Sequence, residues 1–209
     1  MLPCFGLSQA GDSSSRLPAL HTIHDVYQLS KAEAARAYPI DLVAVVTYSD
    51  PEWGLLFVQD PTGTSFINVH GNIMKFPLGS RVRVSAVSTT DSQGPAIGQS
   101  KIVVLGSGAL PAPEQLSVSQ LAAGLGEAHR AVSEGILHPC DRDWARVCFR
   151  LYDRQKVVWV MVPEQDSPAA QSLIGAIVRV KGMVGRQEDD EHKRVGAQLY
   201  VNTLNDIEV

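Results

Sequence analysis

Charge is scarce in this chain: 19% of its 209 residues are charged, 22 acidic against 18 basic, for a net charge of −4 and a pI near 5.8. That balance argues against a protein built mainly to grip polyanionic nucleic acid, while leaving room for a local basic face. Long apolar runs are missing too. None approaches the roughly 20 residues of a membrane-spanning helix, so the sequence contains no helical span. Three cysteines, Cys4, Cys140 and Cys148, cannot all pair within one chain and match no four-ligand zinc spacing. Neither a disulfide scaffold nor a zinc ribbon is expected. G-x-S-x-G, Walker, H-E-x-x-H and dinucleotide motifs are absent, so the sequence raises no expectation of an enzyme, a cofactor or a metal. What is present is 44% hydrophobic residues, enough for one large core or two small ones.

Self-similarity organises that material. Gly79-Ser80-Arg81-Val82-Arg83-Val84 recurs as Gly175-Ala176-Ile177-Val178-Arg179-Val180, an offset of 96. Lys101 to Leu105 is echoed by Gln198 to Asn202 at an offset of 97. Gly106 to Pro113 concentrates Gly and Pro and marks a boundary between units at 21–110 and 114–209. Ahead of them, 1–20 reads as the tail of a signal peptide and a flexible lead-in, with small residues at Ser8 and Ala10 where a signal peptidase reads. This points to export to the periplasm; a frayed cytoplasmic terminus is the alternative.

Capping-box spacing at Thr22/Asp25, Ser30/Glu33 and Ser117/Gln120 predicts short helices ahead of each sheet, with Pro39 ending the second. In unit one, β-branched or alternating runs predict strands at Ile40–Tyr48, Leu55–Asp60, Thr64–Val69, Arg81–Val87 and Ala96–Leu105. Unit two repeats the plan at Ala131–Leu137, Ala145–Tyr152, Val157–Val162, Ile177–Val184 and Val195–Asn202. The expected class is therefore all-β with short helices, as two tandem five-stranded OB-like barrels. The turn Asp60-Pro61-Thr62-Gly63 has the D-x-T-G form of many OB hairpins, in which Asp bonds its own turn and Gly permits positive φ.

Alternation sets Leu56, Val58, Ile67 and Val69 on one face of that hairpin and Phe57, Gln59, Phe66 and Asn68 on the other. Rings beside amides suit a planar ligand, and they equally suit packing beneath a helix or the second barrel. Tyr48, Asp50 and Trp53 belong to the first interstrand loop, where OB domains often wrap a ligand, with Trp53 as a stacking anchor or as a cover for the barrel mouth. Arg142, Arg146, Arg150 and Arg154 share one face of an extended hairpin, fitting a phosphate, an acidic partner or plain solvation. His138, Cys140 and Cys148 lack a fourth ligand, as does the His21/His24 pair, and Glu188 to Lys193 reads as an exposed hairpin tip.

The runs Tyr38-Pro39-Ile40, Val45 to Asp60, Gly79 to Val84 and Leu204 to Val209 together resemble the tandem OB-like extracytoplasmic region of some bacterial two-component sensor histidine kinases. The resemblance covers His21 to Val209 and implies a non-catalytic sensory module, with a small ligand or protein as partner. A kinase segment or chain would complete it. The rival readings are a single-stranded nucleic-acid-binding OB protein, with weak binding at most, and a protein–protein adaptor.

Overall fold

The computed structural model describes residues 17–69, 74–140, 147–154, 156–189, 191 and 193–209, so the leader expected at the N-terminus lies outside the described residues. Unit one opens with helices α1 (Ile23–Tyr27) and α2 (Lys31–Ala34), followed by strands β1 (Pro39–Asp50), β2 (Leu55–Asp60), β3 (Gly63–Asn68), β4 (Ser80–Thr90), β5 (Pro95–Ile97) and β6 (Lys101–Ser107). Unit two contains β7 (Glu114–Gln115), α3 (Val118–Ala122), β8 (Arg130–Pro139), β9 (Val147–Asp153), β10 (Lys156–Val162), α4 (Ser167–Gln171), β11 (Ile177–Glu188), β12 (Arg194–Tyr200) and β13 (Ile207–Glu208). The three anticipated capping boxes form, each with side-chain and backbone bonds made both ways. Pro39 begins β1 rather than closing α2, which ends at Ala34.

Both units are five-stranded OB-like barrels. In barrel two, β8 pairs with β9, β9 with β10, β10 in parallel with β12, β12 with β11, and β11 with β8, which closes the ring. Barrel one runs β3-β2-β1-β4 and then divides its last strand: β5 pairs with Ser88–Thr90, and β6 with Ser80–Ser85 of the same β4. The sequence reads 96–105 as one strand; Gly98, Gln99 and Ser100 interrupt it. No pairing joins β3 to β5 among the described residues. Helix α1 packs against both strands instead and sends Ile23 and Val26 into the core.

The 96-residue echo falls on equivalent strands, β4 and β11, each preceded by a glycine at positive φ, Gly79 at 79° and Gly175 at 86°. The 97-residue echo does not survive as a register. Val84 pairs with Ile102, and its counterpart Val180 pairs with Ile207, so Lys101–Leu105 answers to β13 rather than to Gln198–Asn202. Each barrel has its own core. Leu42, Leu56, Val58, Ile67, Val82 and Val84 fill the first, and Phe149, Leu151, Val158, Val160, Val180 and Leu199 the second.

Candidate functional site

The turn after β2 shows how local sequence holds this region. Asp60 Oδ1 accepts bonds from the Thr62 amide (2.7 Å), the Thr62 hydroxyl (2.6 Å) and the Gly63 amide (3.0 Å). Its Oδ2 accepts the Ile23 amide of α1 at 2.8 Å. Asp60 bonds its turn as expected, and it also holds the helix that covers the barrel. Gly63 does not adopt the positive φ anticipated for it; a Cβ there would lie 3.4 Å from Ile23 Cγ2, so the position serves close approach of α1. Barrel two achieves a similar result without the D-x-T-G turn: Asp153, at the end of β9, accepts the Ser119 amide of α3 at 3.2 Å. Sequence reasoning missed Asp153 because no motif surrounds it.

The hairpin faces fall as the alternation requires. Leu56, Val58, Ile67 and Val69 are buried in the barrel core, and Phe57 and Phe66 are direct cross-strand partners on the outside with ring centroids 5.5 Å apart. The outside of barrel one then meets barrel two. Phe57 lies 6.1 Å and Tyr48 5.3 Å from the ring of Tyr200, and Trp159, Met161, Met183 and Cys148 complete a buried cluster. Trp53 and Leu55 pack at its margin. Gly185 has a local reason: a Cβ there would collide with the Tyr200 ring. Phe66 remains 40% exposed, Asn68 is exposed and Gln59 half-buried along the hairpin. Of the six candidates, Tyr48 and Phe57 form a buried floor, while Trp53, Gln59, Phe66 and Asn68 lie at or beyond its rim.

Tyr48 and Asp50 lie in β1, paired with Phe57 and Leu55, rather than in the first interstrand loop where they were expected, and Asp50 holds the loop that carries Trp53. This buried carboxylate accepts the amides of Glu52 (3.1 Å) and Trp53 (3.3 Å) and the Tyr48 hydroxyl (3.3 Å). Beside it a cavity of about 100 Å³ opens between the barrels. Asp50, Glu52 and Lys75 line one side, Glu164, Gln165 and Asn202 the other. Its size suits a small polar group rather than a large ligand. A second bridge crosses between the units where Gln93 donates to Glu188 Oε1 at 3.2 Å. Near it, Glu127 receives Arg194 at 2.8 Å and Arg186 at 3.2 Å.

Of the four arginines, Arg142 and Arg146 lie outside the described residues. Arg150 faces outward between buried Phe149 and Leu151, donates to the Pro139 carbonyl at 2.9 Å and lies 5.8 Å from the Tyr152 ring centroid. Arg154 is exposed at the following turn. His138 sets its ring edge-on to Tyr152 at 4.8 Å, and Cys140 is disulfide-bonded to Cys148 with Cα atoms 5.4 Å apart. The cysteine count did not anticipate this bond, although a single bond is not a disulfide scaffold. Three cannot all pair, but these two do, because the end of β8 and the start of β9 bring them together. At the β11–β12 tip, Asp189 accepts the amides of Glu191 and Lys193, with Asp190 and His192 outside the described residues.

Fold and site together define a two-barrel OB-like protein whose barrels meet through an aromatic cluster. No family model matches the chain, and no curated protein matches it. Among solved structures, it is similar to one described as "Structure of murine DNA binding protein bound with ds DNA", at 15% identity over 77% of this chain and 92% of that one, with a TM-score of 0.37. Another, described as "Molecular basis for abrogation of activation of pro-inflammatory cytokines", gives 12% identity over 80% of this chain and 90% of that one, with a TM-score of 0.36. Similarity at that level carries no argument about what this chain does.

Proposed function

We propose that this chain is a non-catalytic tandem OB-like binding module that works outside the cytoplasm as the sensory part of a signalling system. The observation that carries the reading is the inter-barrel cluster. By burying Tyr48 and Phe57 against Tyr200, it removes much of the aromatic face on which a free OB barrel stacks bases, and it makes the two barrels present joint surfaces. A ligand then meets Trp53, Gln59, Phe66 and Asn68 at the rim, beside the cleft lined by Asp50, Glu52 and Glu164. Location outside the cytoplasm is supported by the Cys140–Cys148 bond, since disulfides persist in oxidising compartments. The link to two-component signalling rests on the sequence resemblance alone.

The test is fractionation of the protein expressed from its native locus, followed by N-terminal sequencing and thiol counting. The reading expects exported protein cleaved after Ala10, with Cys140 and Cys148 oxidised. Cytoplasmic protein with Met1 retained and both thiols free would overturn the location. Nanomolar binding of single-stranded DNA in fluorescence anisotropy would replace the sensory reading with the nucleic-acid one; the weak expectation is a dissociation constant no tighter than roughly 10⁻⁴ to 10⁻⁶ M.

A further inference from the structure

The cluster covers only part of the outer face of barrel two. On the remainder, four outward residues stand in register across four adjacent strands. Ile177 of β11 pairs with Ile136 of β8, Ile136 with Tyr152 of β9, and Tyr152 with Val157 of β10. Ile177 is 62%, Ile136 41% and Val157 37% exposed, and Tyr152 is half-buried. At about 4.8 Å per strand the row is roughly 14 Å long, between two and three turns of an α-helix.

Charge flanks the row on both sides. One step along the strands lie Arg179, Glu134 and Arg154; on the opposite side lie His138 and Arg150, and Lys156 stands next to Val157. Asp153 is engaged with α3, and Lys181 pairs with Glu208 just beyond. Among these described residues, five cations against three carboxylates make this face positive on a chain whose net charge is −4. In the middle of the row Ile136 is paired with both Ile177 and Tyr152, and Tyr152 with both Ile136 and Val157, so no added strand can cross the row through its backbone. An occupant must dock through side chains. Three of the four row residues are aliphatic, which favours burial against aliphatic side chains over base stacking.

We infer that this stripe docks an amphipathic helix of a partner protein, with an apolar seam over Ile177, Ile136, Tyr152 and Val157 and acidic residues facing the arginines. The inference goes beyond the sensory reading and does not depend on it, because it involves neither the inter-barrel cleft nor the location of the protein.

The test uses the purified chain and a labelled helical probe peptide with leucines at i, i+4, i+7 and i+11 and glutamates on both flanks. A second peptide has the same seam and lysine flanks. Anisotropy should show the acidic peptide binding at least about tenfold tighter, with affinity falling as salt rises. Ile177→Asp and Ile136→Asp, checked by thermal melting, should each weaken it at least about tenfold. Equal binding of the two peptides, or full binding by a folded Ile177→Asp variant, would overturn the inference. So would a dimer of the free chain that Ile177→Asp dissolves, or an oligonucleotide that binds more tightly and competes the acidic peptide away.

Discussion

Barrel two completes its ring through backbone hydrogen bonds between β10 and β12, whereas in barrel one no pairing joins β3 to β5 among the described residues and α1 packs against both strands. In both, a short capped helix precedes the first strand and an aspartate at the end of the second strand holds it. The aspartates are not equally committed. Asp60 is buried and takes three bonds within its turn besides the one from α1, while Asp153 reaches only the first turn of α3 from a more exposed position. The difference shows that the two barrels share a strand plan and leave the sealing of the ring to local solutions.

The comparison breaks most severely at the point where the barrels touch. Phe57→Ala should cost about 3 to 5 kcal/mol in denaturant unfolding, the range for deleting a packed ring, because Phe57 is buried against Tyr200. Phe66→Ala, its more exposed neighbour, should cost under about 1 kcal/mol. Equal, small losses would mean that the cluster does not hold the barrels together.

Substituting the two aspartates sharpens the contrast between the seals. Asp60→Ala orphans the amides of Ile23, Thr62 and Gly63 and should destabilise by about 2 to 3 kcal/mol. Asp153→Ala should cost about 0.5 to 1 kcal/mol, as for loss of a helix cap. Thermal melts of the two variants decide; a larger loss for Asp153→Ala would reverse the ranking.

The smallest effect separates the helices by pH. Asp25 in α1 has its pKa lowered, first by the Thr22 hydroxyl, and Glu33 in α2 has its pKa lowered, first by Ser30. A depressed carboxylate contributes stability above its unfolded value, and that contribution is lost as pH falls through its folded value. Helix α3 places Gln120 at the same box position, which does not titrate. Between about pH 6 and about pH 3, amide exchange should therefore quicken in α1 and α2 relative to α3. Parallel changes in all three helices would remove the assigned cause.

How much of this was legible follows from what a one-dimensional pattern encodes. Strand positions and capping boxes were readable, because alternation and a three-residue spacing are local properties. The two faces of the Phe57–Phe66 hairpin were readable for the same reason. The occupant of the outer face was not, since an aromatic face that meets a ligand and one that meets a neighbouring barrel have the same period. Tyr200, Met161 and Met183 went unnoticed because each is an ordinary outward residue until the partner surface is known. The break between β5 and β6 was missed because the apolar residues on either side, Ala96-Ile97 and Ile102 to Leu105, were joined across the polar stretch Gly98 to Ser100 that separates the strands. The cysteine pair was missed because parity was counted over the whole chain, whereas pairing needs only two strand ends brought together.

Covering a barrel seam with a helix also affects the order of assembly. Ile23 leaves the ribosome before any strand exists, yet its amide partner Asp60 is 37 residues away, so the earliest residues of the unit wait for the first hairpin before they can dock. The seam that α1 covers is complete only when β5 has followed. In barrel one, the helix is made before the hairpin that holds it.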